Sequence, residues 1–243
     1  MRRRSEARWR HFLVKHSRPK FGNSSPTGPA SPWKVGTPRF SRHKSVAGIS
    51  GFIKRAIDIG LAGPALVLLS PLILMIAIAV RISDGGSAFY RQVRIGLNRR
   101  RFTIIKFRSM REDAERDLGP IWSVPGDPRC TRIGYCLRRS GLDELPQLWN
   151  VLRGDMSLVG PRPERPEFTR EFRKEQRGYD IRHTVRPGIT GYAQIHGWRG
   201  YTSLEERLRH DIYYVRNWSL ALDLYVLVMT FVRGWSEKTR SGV

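Results

Sequence analysis

The sharpest feature of the hydrophobic pattern is an uncharged run over residues 59–80, IGLAGPALVLLSPLILMIAIAV, whose 22 residues are enough by count to cross a bilayer. Ser70 and Pro71 stand in its middle. A proline there removes a backbone donor and crowds the preceding turn, so the helix is expected to kink or break. The two halves, residues 59–70 and 71–80, would rise only about 18 and 15 Å against a hydrocarbon core of about 30 Å. The pattern predicts a helix that dips and returns, with a kinked full span and a buried soluble helix as the alternatives.

Beyond Arg81 the pattern is that of a globular, helix-rich mixed α/β domain. Residues 102–110 (FTIIKFRSM) read as a strand, and a period of two places Ile104, Lys106, Arg108 and Met110 on one face with two cations side by side. Ser140 and Asp143 have capping-box spacing, Pro146 suits a first helical turn, and Leu145, Leu148, Trp149 and Leu152 form an apolar stripe. A helix over residues 142–153 is expected, stopped by Gly154. Residues 162–179 predict a charged helix, and residues 204–218 an amphipathic one with Leu204, Leu208, Ile212 and Val215 inward. Residues 220–235 are apolar but carry Asp223, which favours an interfacial or packed helix over a second span.

Charge changes the picture next. Lys and Arg total 44 against 21 for Asp and Glu, a formal charge of +23 with a pI near 11.2, so the partner is expected to be nucleic acid, lipid headgroups or a phosphorylated substrate. Residues 1–58 hold 14 Lys/Arg against only Glu6 and Asp58. Residues 1–47, with a Ser/Pro/Gly-rich stretch at 23–37, read as a basic, largely disordered arm. Such an arm suits a solvated tail, a transit peptide or contact with anionic membrane lipid, and the apolar run that follows favours the tail or the lipid contact. Lys54 and Arg55 flank that run on one side, and Arg81, Arg91, Arg94 and residues 99–101 on the other. Positive charge stays cytoplasmic, so both ends are expected on one side. The run starts too far from Met1 for a cleaved signal peptide. Residues 48–82 are thus expected to form a monotopic, re-entrant membrane element and residues 83–243 a cytoplasmic catalytic domain with interfacial C-terminal helices. Cys130 and Cys136 lack the spacing and companions of a zinc site or disulfide framework.

Asp143 and Glu144 open the expected helix, where the dipole and unsatisfied amides favour negative charge. They are either ordinary first-turn acids or a carboxylate nucleophile beside a metal-binding or acid/base carboxylate. Adjacent carboxylates repel unless a cation intervenes, and Mg2+ takes one or two carboxylates with substrate phosphates. Phosphate-binding candidates are Arg162 in a GPRP turn, Arg138 with Arg139, and the Lys106/Arg108 face. His183, His196 and His210 are not spaced as a metal set.

The blocks KRAIDI (54–59), Ser70-Pro71, RQVRIGLNRRRFTIIKFRSM (91–110), DPRCTRIG (127–134), LDELPQLWNVLRGDMSLVGPRPE (142–164), RPGITGYAQIHG (186–197) and HDIYYVRNWSLALDL (210–224) resemble the bacterial sugar transferase family, the monotopic polyprenol-phosphate phosphoglycosyl transferases. The resemblance implies an enzyme at the cytoplasmic face of the bacterial inner membrane. It would transfer hexose 1-phosphate, glucose or galactose first, from a UDP-sugar to undecaprenyl phosphate with release of UMP, opening exopolysaccharide or O-antigen synthesis. By the same resemblance Asp143 is the nucleophile forming a covalent aspartyl intermediate, Glu144 completes the dyad and helps hold Mg2+, Arg162 binds phosphate, and Ser70-Pro71 bends the membrane helix. Lys106, Arg108 and Asp155 lie in family blocks as phosphate or orienting residues or as fold support, and Arg186 opens a turn near the nucleotide. Larger members carry transmembrane helices before the catalytic part, so a minimal form is expected. Nucleic acid becomes an unexpected partner, and a homo-oligomer is left open. The rivals are a membrane-tethered glycosyltransferase releasing UDP and a basic protein that only binds anionic lipid or nucleic acid.

Overall fold

A computed structural model describes residues 49–240 apart from 117–118, 120, 124–125 and 201, with only the backbone course for 233–240. The basic arm over residues 1–47 lies outside the described residues. Two helices come first, α1 (Ile49–Leu68) and α2 (Ser70–Asp84), bent by 60° at Leu69. The break falls at Ser70-Pro71, as the pattern predicts: Pro71 occupies the first turn of α2, and the Ser70 hydroxyl donates to the Val67 carbonyl at 2.7 Å. Pro64 is accommodated inside α1. Among the described residues no single helix is long and apolar enough to cross a membrane, but the bent pair passes that test together by length and composition.

The first arm is longer than its apolar part. α1 has 20 residues because it begins at Ile49, ahead of the uncharged run. Lys54 and Arg55, expected as cytoplasmic charges flanking the run, are also bound within the protein. Lys54 is buried against Asp223 at 2.6 Å, and Arg55 donates to the Val151 and Leu152 carbonyls at 2.6 and 2.8 Å.

An antiparallel hairpin follows, β1 (Phe89–Ile95) and β2 (Arg101–Phe107), in the register Phe89↔Phe107 to Ile95↔Arg101. Its turn places Asn98 and Arg99 at positive φ. The strand expected over residues 102–110 therefore ends at Phe107, and Arg108 leaves the Lys106 face. Its guanidinium reaches back to the Gly85 carbonyl at the end of α2 and faces Glu112 at 3.9 Å.

Helix α3 (Arg132–Ser140) is capped at its start by Thr131, whose hydroxyl accepts from the Gly134 amide at 2.9 Å. Gly141 at φ 74° ends it. Ser140 is accordingly a last-turn residue, its hydroxyl returned to the Cys136 and Leu137 carbonyls, and the expected capping box does not form. The expected helix over 142–153 divides into a 3-10 turn, Leu142–Glu144, and α4 (Gln147–Arg153), which Gly154 closes at φ 88°. Leu148 is buried on α4 whereas Trp149 is half exposed, so the apolar stripe is narrower than the spacing suggests.

The rest comprises β3 (Ser157–Val159), α5 (Pro166–Glu175), β4 (Gly188–Thr190), α6 (Tyr192–Ile195), α7 (Leu204–Arg216) and α8 (Leu220–Arg240). β3 and β4 pair in parallel through Ser157↔Gly188 and Val159↔Thr190. The expected charged helix over 162–179 is confined to α5, which leaves Arg162 on an extended loop. Leu204, Leu208 and Val215 are buried on α7, with Ile212 packed beside them, as their spacing predicts. The fold is helix-rich and mixed α/β.

Both arms of the bent pair pack on this one body. Ala62 and Leu66 of α1 and Leu69 at the break meet Leu148, Val151 and Met156, while Ile76 and Val80 of α2 meet Phe107 and Leu137. At the bend, Val67 and Leu68 are three-quarters or more exposed. Large apolar side chains left uncovered in a patch mark a surface that something else covers.

Candidate active site

The 3-10 turn and α4 hang from the hairpin by Asn150, which is fully buried. Its side-chain oxygen accepts from the Ile105 amide at 3.0 Å and its nitrogen donates to the Thr103 carbonyl at 2.8 Å, so the amide occupies a place that a neighbouring strand would fill. This fixes α4 along β2 and sets Asp143 and Glu144 beside Lys106. The far end of α4 is closed by cations: Arg55 holds Val151 and Leu152, and Arg186 donates to the Gly154 carbonyl at 3.0 Å. Guanidiniums at a helix C-terminus complement its dipole.

Glu144 receives both terminal nitrogens of Arg162, with the second oxygen at 3.2 Å from Nη1. This two-pronged contact is the strong form of the pair. Arg162 is presented by a loop held from behind: Arg182 donates to its carbonyl at 2.7 Å, and Arg94 donates to the next carbonyl, Pro163, at 3.1 Å. Glycine makes the loop's approach to β4 possible. A Cβ on Gly160 would stand 2.3 Å from the Arg186 carbonyl oxygen, and one on Gly188 2.1 Å from the Gly160 nitrogen. The glycines of the residue 186–191 turn thus serve close contact between two backbones.

Asp143 is 6% exposed, and among the described residues no hydrogen bond engages its carboxylate. Burial and the neighbouring Glu144 carboxylate push its pKa up to about 6, opposed by Lys106, Arg162 and Arg138. Glu144 moves the other way. Burial would raise it, but Arg162 by charge and hydrogen bond, aided by Lys106 and Arg199, holds it below the usual range. Two adjacent carboxylates are thereby differentiated, one kept ionised by a partner and the other poised near neutrality. Lys106 stands 5.3 Å over the ring of Tyr90, its cross-strand partner. Burial and the cations Arg138 and Arg94 push it down to about 8 against the pull of the two acids. Arg138 donates to Ser123 Oγ at 2.8 Å and lies 3.2 Å from Cys130 Sγ.

Of the residues singled out in the sequence, Asp143, Glu144, Lys106, Arg138 and Arg162 come together. Arg108 and Arg186 lie elsewhere, at the end of α2 and at the end of α4. Asp155 accepts from Asn150 at 3.2 Å and pairs with Arg153 at 3.4 Å. Asn150, Tyr90 and Arg182 have no assigned role in the sequence pattern, and Arg94 enters it only as a charge flanking the apolar run. Only Asn150 left a signal, as a polar residue on an otherwise apolar helical stripe. His183 is buried against Tyr179, and His196 and His210 stack in an aromatic group around Tyr192. Among the described residues no group of three or more His, Cys, Asp or Glu side chains is placed to hold a metal ion.

The match to known proteins covers this whole site. Residues 49–237 match the family model described as bacterial sugar transferase. The chain belongs to the bacterial sugar transferase family. It is 40% identical over 231 residues to an Escherichia coli (strain K12) protein named UDP-glucose:undecaprenyl-phosphate glucose-1-phosphate transferase, covering 93% of this chain and 47% of that one. An Aeromonas hydrophila protein named UDP-N-acetylgalactosamine-undecaprenyl-phosphate N-acetylgalactosaminephosphotransferase is 44% identical over 184 residues, covering 75% and 43%. The exopolysaccharide production protein PSS of Rhizobium leguminosarum bv. phaseoli is 40% identical over 195 residues, covering 77% of this chain and 96% of its own length. The chain thus spans about half the length of the first two family members and nearly all of the third.

Proposed function

We propose that this sugar transferase family member moves a hexose 1-phosphate from a UDP-sugar to undecaprenyl phosphate and releases UMP, as a membrane step of exopolysaccharide or O-antigen synthesis. The observation that carries the reading is the Asp143 carboxylate, buried, free of hydrogen bonds among the described residues and ringed by Lys106, Arg138 and Arg162. An Asp Oδ attacks the β-phosphorus of the donor. The bond from that phosphorus to the bridging oxygen breaks, and UMP leaves with the oxygen and its electron pair. A sugar-phosphoryl aspartate remains. An oxygen of undecaprenyl phosphate then attacks the same phosphorus and expels the carboxylate, so one hard displacement becomes two easier ones. Lys106 and Arg162 supply fixed positive charge where negative charge gathers on the phosphoryl oxygens.

Mg2+ fits the donor set. Arg162 takes one lone pair on each Glu144 oxygen and leaves the others, and the crowding that raises Asp143 is what a cation between the two acids relieves. When bound, Mg2+ would neutralise diphosphate charge, held by Asp143 and Glu144. The relatives' names point to glucose or N-acetylgalactosamine donors, and glucose is the first to test.

The same reading sets α1 and α2 in the cytoplasmic leaflet of the inner membrane as a re-entrant hairpin. Both arms fasten to one body, and uncovered apolar side chains run along both of them, from Ile49 and Phe52 through Val67 and Leu68 at the bend to Ile82. Cysteines replacing Phe40 and Arg100 should both label from the cytoplasmic side, and opposite labelling would restore a full span. The decisive assay combines membranes containing the protein with Mg2+, undecaprenyl phosphate and a panel of UDP-sugars. UMP release that disappears in Asp143→Asn is expected. Release of UDP, or indifference to Asp143, overturns the assignment.

A further inference from the structure

Asp223 is the lone charge in the first thirteen residues of α8, Leu220–Val232, and it is buried.

 Between Leu220 and Val232 the helix is otherwise apolar, and a lone carboxylate there is unfavourable unless donors meet it. Three donors do, from separate places in the fold. Lys54 Nζ of α1 lies 2.6 Å from Oδ2, the Tyr214 hydroxyl of α7 lies 2.7 Å from Oδ1, and Trp218 Nε1 lies 3.2 Å from Oδ2. The Tyr214 hydroxyl is also 3.1 Å from the carbonyl of Val159, the residue immediately before the Gly160-Pro161-Arg162 loop. One helical turn along α1, Asp58 accepts from Ser157 Oγ and the Leu158 amide, both at 3.1 Å. The base of α1 is therefore tied to α8 and, on either side, to the strand that delivers Arg162.

A buried ion pair is a poor source of stability, since apolar replacements of similar volume are often neutral or stabilising; its best-attested use is to fix register. We propose that Lys54 and Asp223, with Tyr214, form a positioning joint that sets the angle of α1 against the Arg162 loop, and so the height at which Asp143 meets the phosphate of a lipid acceptor. The inference rests on the reading under Proposed function. A UDP-sugar arrives from water in any orientation, whereas the phosphate of a polyprenyl acceptor is confined to the headgroup plane. β3 keeps its pairing with β4 and its contacts with Asp58 when the joint loosens, so Arg162 and the donor step stay in place while the acceptor step in a bilayer is impaired.

The test uses the full chain in lipid vesicles with Lys54→Met/Asp223→Leu, in which both charges leave together, and Tyr214→Phe, which removes a single hydroxyl and covers the case in which the double variant does not fold. The UMP burst without acceptor reports the donor step. Steady-state UMP release is then measured with undecaprenyl phosphate in vesicles and with a short, water-soluble polyprenyl phosphate in detergent. The burst and the soluble-acceptor rate should stay within about twofold of the parent, while KM for the vesicle acceptor rises about tenfold. A parallel fall of all three readouts, or no change in any, overturns the joint. Absence of a UMP burst in the parent chain overturns the enzymatic reading instead.

Discussion

The opposed surroundings of Asp143 and Lys106 should be visible as a pH profile. In the proposed donor step, attack requires Asp143 ionised, and Lys106 contributes only while protonated. With Asp143 pushed up to about 6 by burial and Glu144, and Lys106 pushed down to about 8 by burial, Arg138 and Arg94, the donor step should peak near pH 7. One pH unit below its pKa a carboxyl is about one-tenth ionised, so the rate should fall about tenfold by pH 5, where an ordinary Asp would still be over nine-tenths ionised. The same arithmetic gives about one-tenth protonated Lys106 at pH 9. Lys106→Met should abolish the alkaline limb. It should also move the acidic limb upward, because Lys106 is among the cations that hold Asp143 down. The assay is the initial rate of the UMP burst at UDP-sugar well below KM and constant ionic strength, with Mg2+ supplied only as the UDP-sugar complex, so that the limbs report the unliganded protein. Lipid acceptor is omitted because a phosphate monoester itself ionises near pH 6. An acidic limb near pH 4 in the parent, or an alkaline limb that survives Lys106→Met, would refute the reasoning.

Three further outcomes follow from individual contacts. Asn150→Leu strands the Ile105 amide and the Thr103 carbonyl, so denaturant melts should show a loss of about 2 to 4 kcal/mol. Gly160→Ala drives a Cβ against the Arg186 backbone and must displace Arg162, so the UMP burst rate should drop about a hundredfold while the circular dichroism spectrum stays folded. Burial, followed by Arg182, Arg99 and Arg173, pushes His183 down to about 3. Below its unfolded pKa of about 6.5 only the unfolded chain takes up that proton, so stability falls with pH by about 2 kcal/mol at pH 5 relative to neutral. His183→Phe should flatten that slope in urea melts at pH 5 and 7.5.

The parts legible in the sequence were those governed by local chemistry. Pro71 breaks a helix whatever surrounds it, and Leu204, Leu208 and Val215 share a helical face by spacing alone. Asp143, Glu144 and Arg162 stand out because a long, specific block holds them, and the fold brings them together. What escaped depends on distant partners. Arg108 and Lys106 differ by one strand period, yet the strand ends at Phe107 and Arg108 turns to the Gly85 carbonyl. Arg186 looks like a phosphate ligand until the end of α4 appears beside it. Ser140 and Asp143 fit a capping box only if no helix already ends there, and Gly141 ends one. Lys54 and Arg55 read as membrane-flanking charges because their acceptors lie about a hundred or more positions away, at Asp223, Val151 and Leu152.

The grip of α1 also bears on how such a catalytic unit can be recombined. The hydrophobic run begins at Ile59, so a splice designed from hydropathy would cut there and discard Lys54, Arg55 and Asp58 with whatever precedes them. That cut would leave Asp223 without its cation, the end of α4 without Arg55, and β3 without the Asp58 carboxylate. A transplant onto a foreign membrane module must instead take the chain from Ile49 onward. The foreign segment can replace only the apolar tip of the bend, because Lys54, Arg55 and Asp58, ahead of the greasy stretch, belong to the folded body.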